Sequence, residues 1–360
     1  MPFLTGWTIG TKVEERRVAA GGRQPAQSDP LGGGRQRDVL GRVSTALGQV
    51  STALGRVYEA EQPGRYSEPL VPLPARTAEC PNPDCGGGWM RLWRRRQTPV
   101  FEGACACGEA CLRSIMSRAV RREMGEGHAQ SPATLHRHRV PLGLVLLAQG
   151  WITQPQLQQA LAAQRQAGEG RIGSWLMSEC GLREERVTLA LSLQWSCPVL
   201  PVDGFEPERM ARIAPRFLVE TLGLLPLRIA GARILYVGSE DSIDASAAFA
   251  LERMTGLRVE SGLVNGSSYA RSRERLLSEQ LRPCFAASTF ETVRDLDALS
   301  AALTFEMERS RPVEARLVRL HGYFWLRMWL RESPGGAAVP GVPVDAGQVA
   351  DRIYRVGAAQ

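Results

Sequence analysis

Lysine is almost missing from this chain. Lys12 is the only one, so 43 of the 44 basic residues (44 less one) are arginines. A phosphate-binding P-loop needs Gly-Lys followed by Ser or Thr, and Lys12 follows Thr11, so a P-loop ATPase is excluded. Because Ala, Gly and Pro are also abundant, the arginine excess reads as a codon-composition bias rather than a binding signal. Long apolar runs are missing as well. The most apolar stretch, Val140 to Ala148, falls far short of the roughly 20 residues a membrane helix requires. Met1 to Arg17 lack the basic start and apolar run of a signal peptide. The expected location is therefore the cytoplasm, where the eight cysteines should be reduced thiols or metal ligands. No Cys-x-x-Cys pair is present, which weighs against a redox role. The four histidines, His128, His136, His138 and His321, have no companion nucleophile or carboxylate motif. An enzyme is not expected, and His136-x-His138 reads as part of a solvated connector.

What is present is globular in character. The 360 residues are 44% hydrophobic and 22% charged, enough for two or three domains with a sizeable core. A formal charge of +7 and a pI near 9.2 permit an anionic partner without requiring one.

Along the chain, residues 1–76 are rich in Gly, Pro, Gln and Arg and poor in large apolar groups, so disorder or low complexity is expected there. A heptad carrying Val43, Val50 and Val57 includes Gly41, Gly48 and Gly55, each costing about 1 kcal/mol in a helix relative to Ala. Residues 77–126 hold five of the eight cysteines, and 127–139 form a polar linker. Residues 140–280 begin with helical periodicity to about Gln194. They continue as a small α/β unit, with strands at Leu225–Ile229, Arg233–Val237 and Leu257–Val264 and helices at Asp244–Met254 and Tyr269–Leu277. Residues 281–333 read as a helix over Thr292–Glu308 and a hairpin of Ala315–Leu320 with Tyr323–Leu330. Pro334 to Pro343 opens a flexible tail over 334–360. The expected fold class is α+β.

Cys80 and Cys85 lie on a turn rich in Pro and Gly. Cys105, Cys107 and Cys111 run into a helical stripe of Leu112, Ile115, Met116, Ala119 and Val120. Between them, Trp89–Trp93 and Val100–Glu102 are spaced to form a short hairpin. One thiol pair on a turn and one at a helix start suit a tetrahedral zinc ion, and the positive helix terminus favours thiolates. The expected ligands are Cys80, Cys85, Cys107 and Cys111, with Cys105 as spare or substitute. Four cysteines leave no open coordination position, so such a zinc ion would be structural. This layout resembles a treble-clef or FCS-type zinc finger over about 35 residues. Arg91, Arg94, Arg95 and Arg96 beside Trp89 and Trp93 offer phosphate contacts and stacking, but the small patch and modest total charge weigh against nucleic acid as the partner.

The most informative feature is a repeat 30 residues apart. Leu142, Gly143, Leu146, Gly150, Leu157, Leu161 and Gln164 are followed by Arg171, Ile172, Gly173, Leu176, Val187, Leu191 and Gln194. Gly143 with Gly173, Leu146 with Leu176, Leu161 with Leu191 and Gln164 with Gln194 are identities. An ordinary amphipathic helix repeats its apolar residues, but not a Gly and a Gln in register.

This pattern resembles the N-terminal domain of type II secretion and type IV pilus assembly ATPases, the GspE N-terminal or MshEN family of bacteria. The resemblance spans roughly 139–280, including Leu225-Pro226-Leu227 and Met254 to Glu260; the ATPase that normally follows has no counterpart here. It implies a tandem-motif helical subdomain with each copy gripping half of cyclic di-GMP. Leu142, Gly143, Leu157, Leu161, Gln164, Arg171, Ile172, Gly173, Leu191 and Gln194 are the implied nucleotide-binding residues. Gly would allow close backbone approach, Arg would fork onto a phosphate, Gln would hydrogen-bond and the leucines would wall the bases. The chain departs from the family at Pro141, where Arg is usual, and at Cys180, where Gly is usual. Three readings stay open: a non-catalytic cyclic di-GMP-responsive regulator, an adaptor docking on a secretion or pilus machinery protein, and a zinc-containing nucleic-acid binder. Membrane insertion is not expected.

Overall fold

The computed structural model describes residues 80–85, 99–125, 139–242, 244–331 and 341–357. The expectations for 1–76, for Trp89–Trp93 with its arginines, and for His128, His136 and His138 lie outside the described residues. No helix among the described residues is long and apolar enough to cross a membrane.

The first elements form a small antiparallel pair, β1 (Val100–Phe101) and β2 (Ala104–Cys105), turning at Glu102 and Gly103. The expected hairpin of Val100–Glu102 with Trp89–Trp93 cannot be followed, since its first strand lies outside the described residues. β2 takes one edge of β1, and Pro312 and Ala315 accept from Val100 N and Glu102 N on the other. Helix α1 (Glu109–Glu123) buries Leu112, Ile115, Met116, Ala119 and Val120, one face at helical spacing.

Four helices follow: α2 (Leu142–Ala148), α3 (Gln154–Ala167), α4 (Ile172–Cys180) and α5 (Glu184–Trp195). They close around Val145, Leu146, Ile152, Ala160, Leu176, Leu182, Val187 and Ala190.

The α/β unit comes next. A one-turn helix α6 (Pro207–Met210) and α7 (Arg216–Leu222) precede a three-stranded sheet. In it, β3 (Leu225–Ala230) pairs antiparallel with β4 (Ile234–Ser239), and β4 pairs parallel with β5 (Arg258–Leu263). The parallel step needs a crossover, supplied by α8 (Ala245–Thr255), which Asp244 caps by accepting from Ser246 N and Ala247 N. Helix α9 (Gly266–Leu276) closes the unit.

The last region is a four-stranded sheet rather than a helix, a hairpin and a loose end. Its order is β6 (Ala287–Val293), β9 (Val349–Val356), β8 (Tyr323–Trp329), β7 (Glu314–Leu320), with helix α10 (Leu296–Ser310) after β6. Two expectations are corrected. Thr292 belongs to β6, because its β-branched and aromatic run suits an extended edge and Asp295 starts the helix by accepting from Ala298 N. Residues 349–356, expected within a flexible tail, form a central strand, parallel to β6 and antiparallel to β8.

Strand alternation divides this sheet between two cores. Phe324, Leu326, Met328, Leu317, Ala350 and Tyr354 pack with α1 and with Leu299, Leu303 and Met307 of α10. Trp325, Val318, Leu320 and Ile353 join the core of the α/β unit on the other face. The cysteine-rich segment is therefore not freestanding: its helix shares a core with the C-terminal sheet.

Two polar networks hold these parts in place. Arg327 and Asp351, both fully buried, face each other across β8 and β9 as a two-pronged pair at 2.9 Å for each contact. Arg327 also donates to Ile213 O at 2.7 Å, and Trp325 Nε1 donates to Asp351 Oδ1 at 2.7 Å. Removing one partner would strand a buried charge, typically costing about 3–5 kcal/mol. At the other junction Arg253 of α8 contacts Glu102 at 3.0 Å and Glu123 of α1 at 2.8 Å, and Arg122 contacts Glu102 at 2.6 Å.

Candidate ligand site and candidate metal centre

The two motif copies fold alike. Copy one is α2 then α3; copy two is α4 then α5. Pro141 (φ −54, ψ 139) and Arg171 (φ −97, ψ 144) are the extended residues that start α2 and α4. Thr153 and Arg183, again 30 apart in sequence, cap α3 and α5. Between the helices the copies differ by one residue. Copy one turns at Gly150 (φ +66), whereas in copy two Cys180 remains helical and Gly181 (φ +63) takes the left-handed position. The loop to the next cap is one residue shorter, which restores the register. Cys180 thus fits without strain, its thiol raised by burial and by Glu179.

The repeated glycines sit where helices touch. A Cβ on Gly143 would meet Leu157 Cδ1 at 2.7 Å, and one on Gly173 would meet Val187 Cγ1 at 2.9 Å and Leu142 Cδ2 at 3.6 Å. Leu157 and Val187 are equivalent positions, so each glycine admits the second helix of its own copy.

The repeated glutamines reach across to the other copy. Gln164 Nε2 donates to Gly170 O, and Gln194 Nε2 to Val140 O, both at 2.8 Å. Each acceptor lies one residue before the N-cap of the other copy's first helix. The glutamines therefore tie down the residues just before Arg171 and Pro141.

Leu142, Leu157, Ile172 and Leu191 are half-buried against the helical core, and Leu161 is half-buried as well. Arg171 is exposed. Its guanidinium lies 2.7 Å from Asp241 and 3.9 Å from Glu240, both just after β4. Copy one has no cation at the corresponding position. Its nearest described arginine in sequence, Arg139, lies with its guanidinium carbon 3.3 Å from the ring centroid of Trp195. Glu184 anchors the same junction, accepting from Ser267 N at 2.7 Å and Ser267 Oγ at 2.6 Å. Asp241 and Glu240 were not legible as neighbours of the motif, because they stand far along the chain in another unit.

The cysteines converge. The sulfurs of Cys80, Cys85 and Cys111 lie within 4.8 Å of one another, and Cys85 Sγ is 3.6 Å from Cys107 Sγ. A tetrahedron with metal–sulfur bonds of about 2.3 Å has edges of about 3.8 Å, so this donor set fits a metal ion. The mutually close group is Cys80, Cys85 and Cys111; the expected ligand Cys107 adjoins Cys85 but is not in that group, and neither is Cys105, on β2 opposite Val100. Burial, then hydrogen bonds with Cys85 and Cys80, push the Cys107 thiol up to about 12. For Cys111 the Asn82 amide pulls downward, but burial and the bonds from Cys85 and Cys80 outweigh it, and the thiol is raised. A cation would reverse that balance, since metal binding requires thiolates. Asn82, between two prolines in the first turn, escaped the sequence reading; its only signal was a polar residue inside the Cys80–Cys85 loop.

No family model matches the chain, and no curated protein matches it. Among solved structures, it is similar to one described as "Structure of MshE with cdg", at 26% identity, covering 38% of this chain and 99% of that chain with a TM-score of 0.32.

Proposed function

We propose that residues 140–280 are a non-catalytic, ligand-responsive module that binds cyclic di-GMP, within a cytoplasmic protein that signals to a secretion or pilus machinery partner. The observation that carries this reading is the paired construction of the helical unit. Two copies begin their first helices at equivalent extended residues and exchange glutamine bonds across the pair. A ligand with two like halves suits such a duplicated frame. Arg171, exposed at one of those helix starts, is the group that would pair with a phosphate. The half-buried leucines beside it would border the bases. The cysteine cluster is read as a structural zinc centre with Cys80, Cys85, Cys107 and Cys111 as ligands.

Calorimetric titration of the full chain with cyclic di-GMP tests the proposal. Binding is expected, and Arg171→Ala should abolish it. Retention of parental affinity by Arg171→Ala overturns the site. A second reading, an adaptor that kept the frame and lost the ligand, draws on Pro141 and on the carboxylates that already occupy Arg171. It is the reading that stands if neither the parent nor an arginine-restored variant binds at millimolar ligand.

A further inference from the structure

Asn82 is nearly buried, at 9% exposure, in the turn between Cys80 and Cys85. Its side-chain oxygen accepts from Ser114 Oγ at 3.1 Å and from Asp84 N at 3.3 Å. The Asp84 N–H can only donate, so it requires the oxygen and sets the orientation of the amide, and Nδ2 faces Cys111 Sγ at 3.4 Å. The turn and α1, which carries Cys111 and Ser114, are thereby joined through one side chain. A neutral thiol is a weak acceptor, whereas a metal-bound thiolate is a strong one.

We propose that Asn82 is a positioning residue of the metal centre, donating an N–H to the Cys111 thiolate and fixing its sulfur toward the ion. The proposal rests on reading the cysteine cluster as a metal centre. Groups that orient metal ligands in this way are worth on the order of 10- to 100-fold in affinity.

Two substitutions separate this role from that of a simple turn residue. Asn82→Asp keeps the oxygen that Asp84 N and Ser114 use, but replaces the donor facing sulfur with a charged acceptor. Asn82→Ser retains an acceptor for the turn and introduces no charge. Full-length protein, freed of metal, would be titrated with Co(II) and its thiolate-to-cobalt absorption recorded. Zn(II) affinity would be measured by competition with a chelator. The expected result is weaker zinc binding in both variants, roughly 10- to 100-fold for Asn82→Asp and less for Asn82→Ser, with a shifted cobalt band. Parental affinity and an unchanged band in either folded variant overturn the role of Asn82 while leaving the metal centre intact. A parent protein that binds neither Co(II) nor Zn(II) overturns both.

Discussion

The two copies of the helical motif share the glycine contact and the glutamine bond that hold their helices together, and differ in what they present to solvent. In both, a buried glycine admits the following helix, and a glutamine secures the start of the partner copy. At the exposed first position, copy two has Arg171 and copy one has Pro141. The repeated Gly and Gln therefore serve packing and closure as they stand, and the capacity to attract an anion is lopsided. A duplicated motif can keep its register for structural reasons while its two halves diverge in chemistry.

The largest test of that asymmetry is Pro141→Arg. The backbone at 141 is extended like that at 171, with ψ 139 against 144 but φ −54 against −97, a region open to arginine. Adding one charged hydrogen bond, about 1.5–3 kcal/mol, should tighten cyclic di-GMP binding roughly 10- to 100-fold by calorimetry. An unchanged affinity would break the idea that copy one is the weaker half.

Alanine at the two glycines sharpens the structural side. At Gly173 the obstructing atom is Cγ1 of Val187, a branched side chain with little freedom to turn away. At Gly143 it is the end of Leu157, which can change rotamer. Gly173→Ala should cost about 1–3 kcal/mol from overpacking. Gly143→Ala should be closer to neutral, because alanine gains about 1 kcal/mol in helix preference over glycine. Denaturant unfolding of both variants checks the order, and the reverse order would sink the argument.

The smallest effect concerns the carboxylates beside Arg171. An exposed ion pair is worth about 0–1 kcal/mol, so Asp241→Asn should strengthen cyclic di-GMP binding no more than about fivefold. The gain should shrink as salt rises. Weaker binding instead would mean that Asp241 helps hold the ligand rather than competing with it.

Local features were legible in the sequence where they repeat at a fixed period. The stripe from Leu112 to Val120 placed α1, and the matched Gly and Gln positions placed the tandem helices. Alternation placed the hairpin of β7 and β8 but not which core each face would join. Long-range pairing was not legible. The Pro/Gly run before residue 341 pointed to a loose end, yet β9 lies between β6 and β8, because its alternating Val349, Asp351 and Ile353 match partners available only once the sheet forms. The cysteine pairs were legible as neighbours by chemistry, but the Asn82 contact depended on how the turn meets α1.

The exchanged glutamine bonds bring the beginning and end of the tandem unit side by side, since Gln194 holds Val140. The order of the two copies along the chain is then incidental to their assembly. A circularly permuted unit, opened in the exposed turn at Gly168 and Glu169 and joined from the end of α5 back to residue 139 by a short flexible linker, should rebuild the same four-helix frame. Exposed turns of this kind are where permutation is best tolerated. Such a rearrangement would place the arginine-bearing copy first and the proline-bearing copy second without altering either helix start.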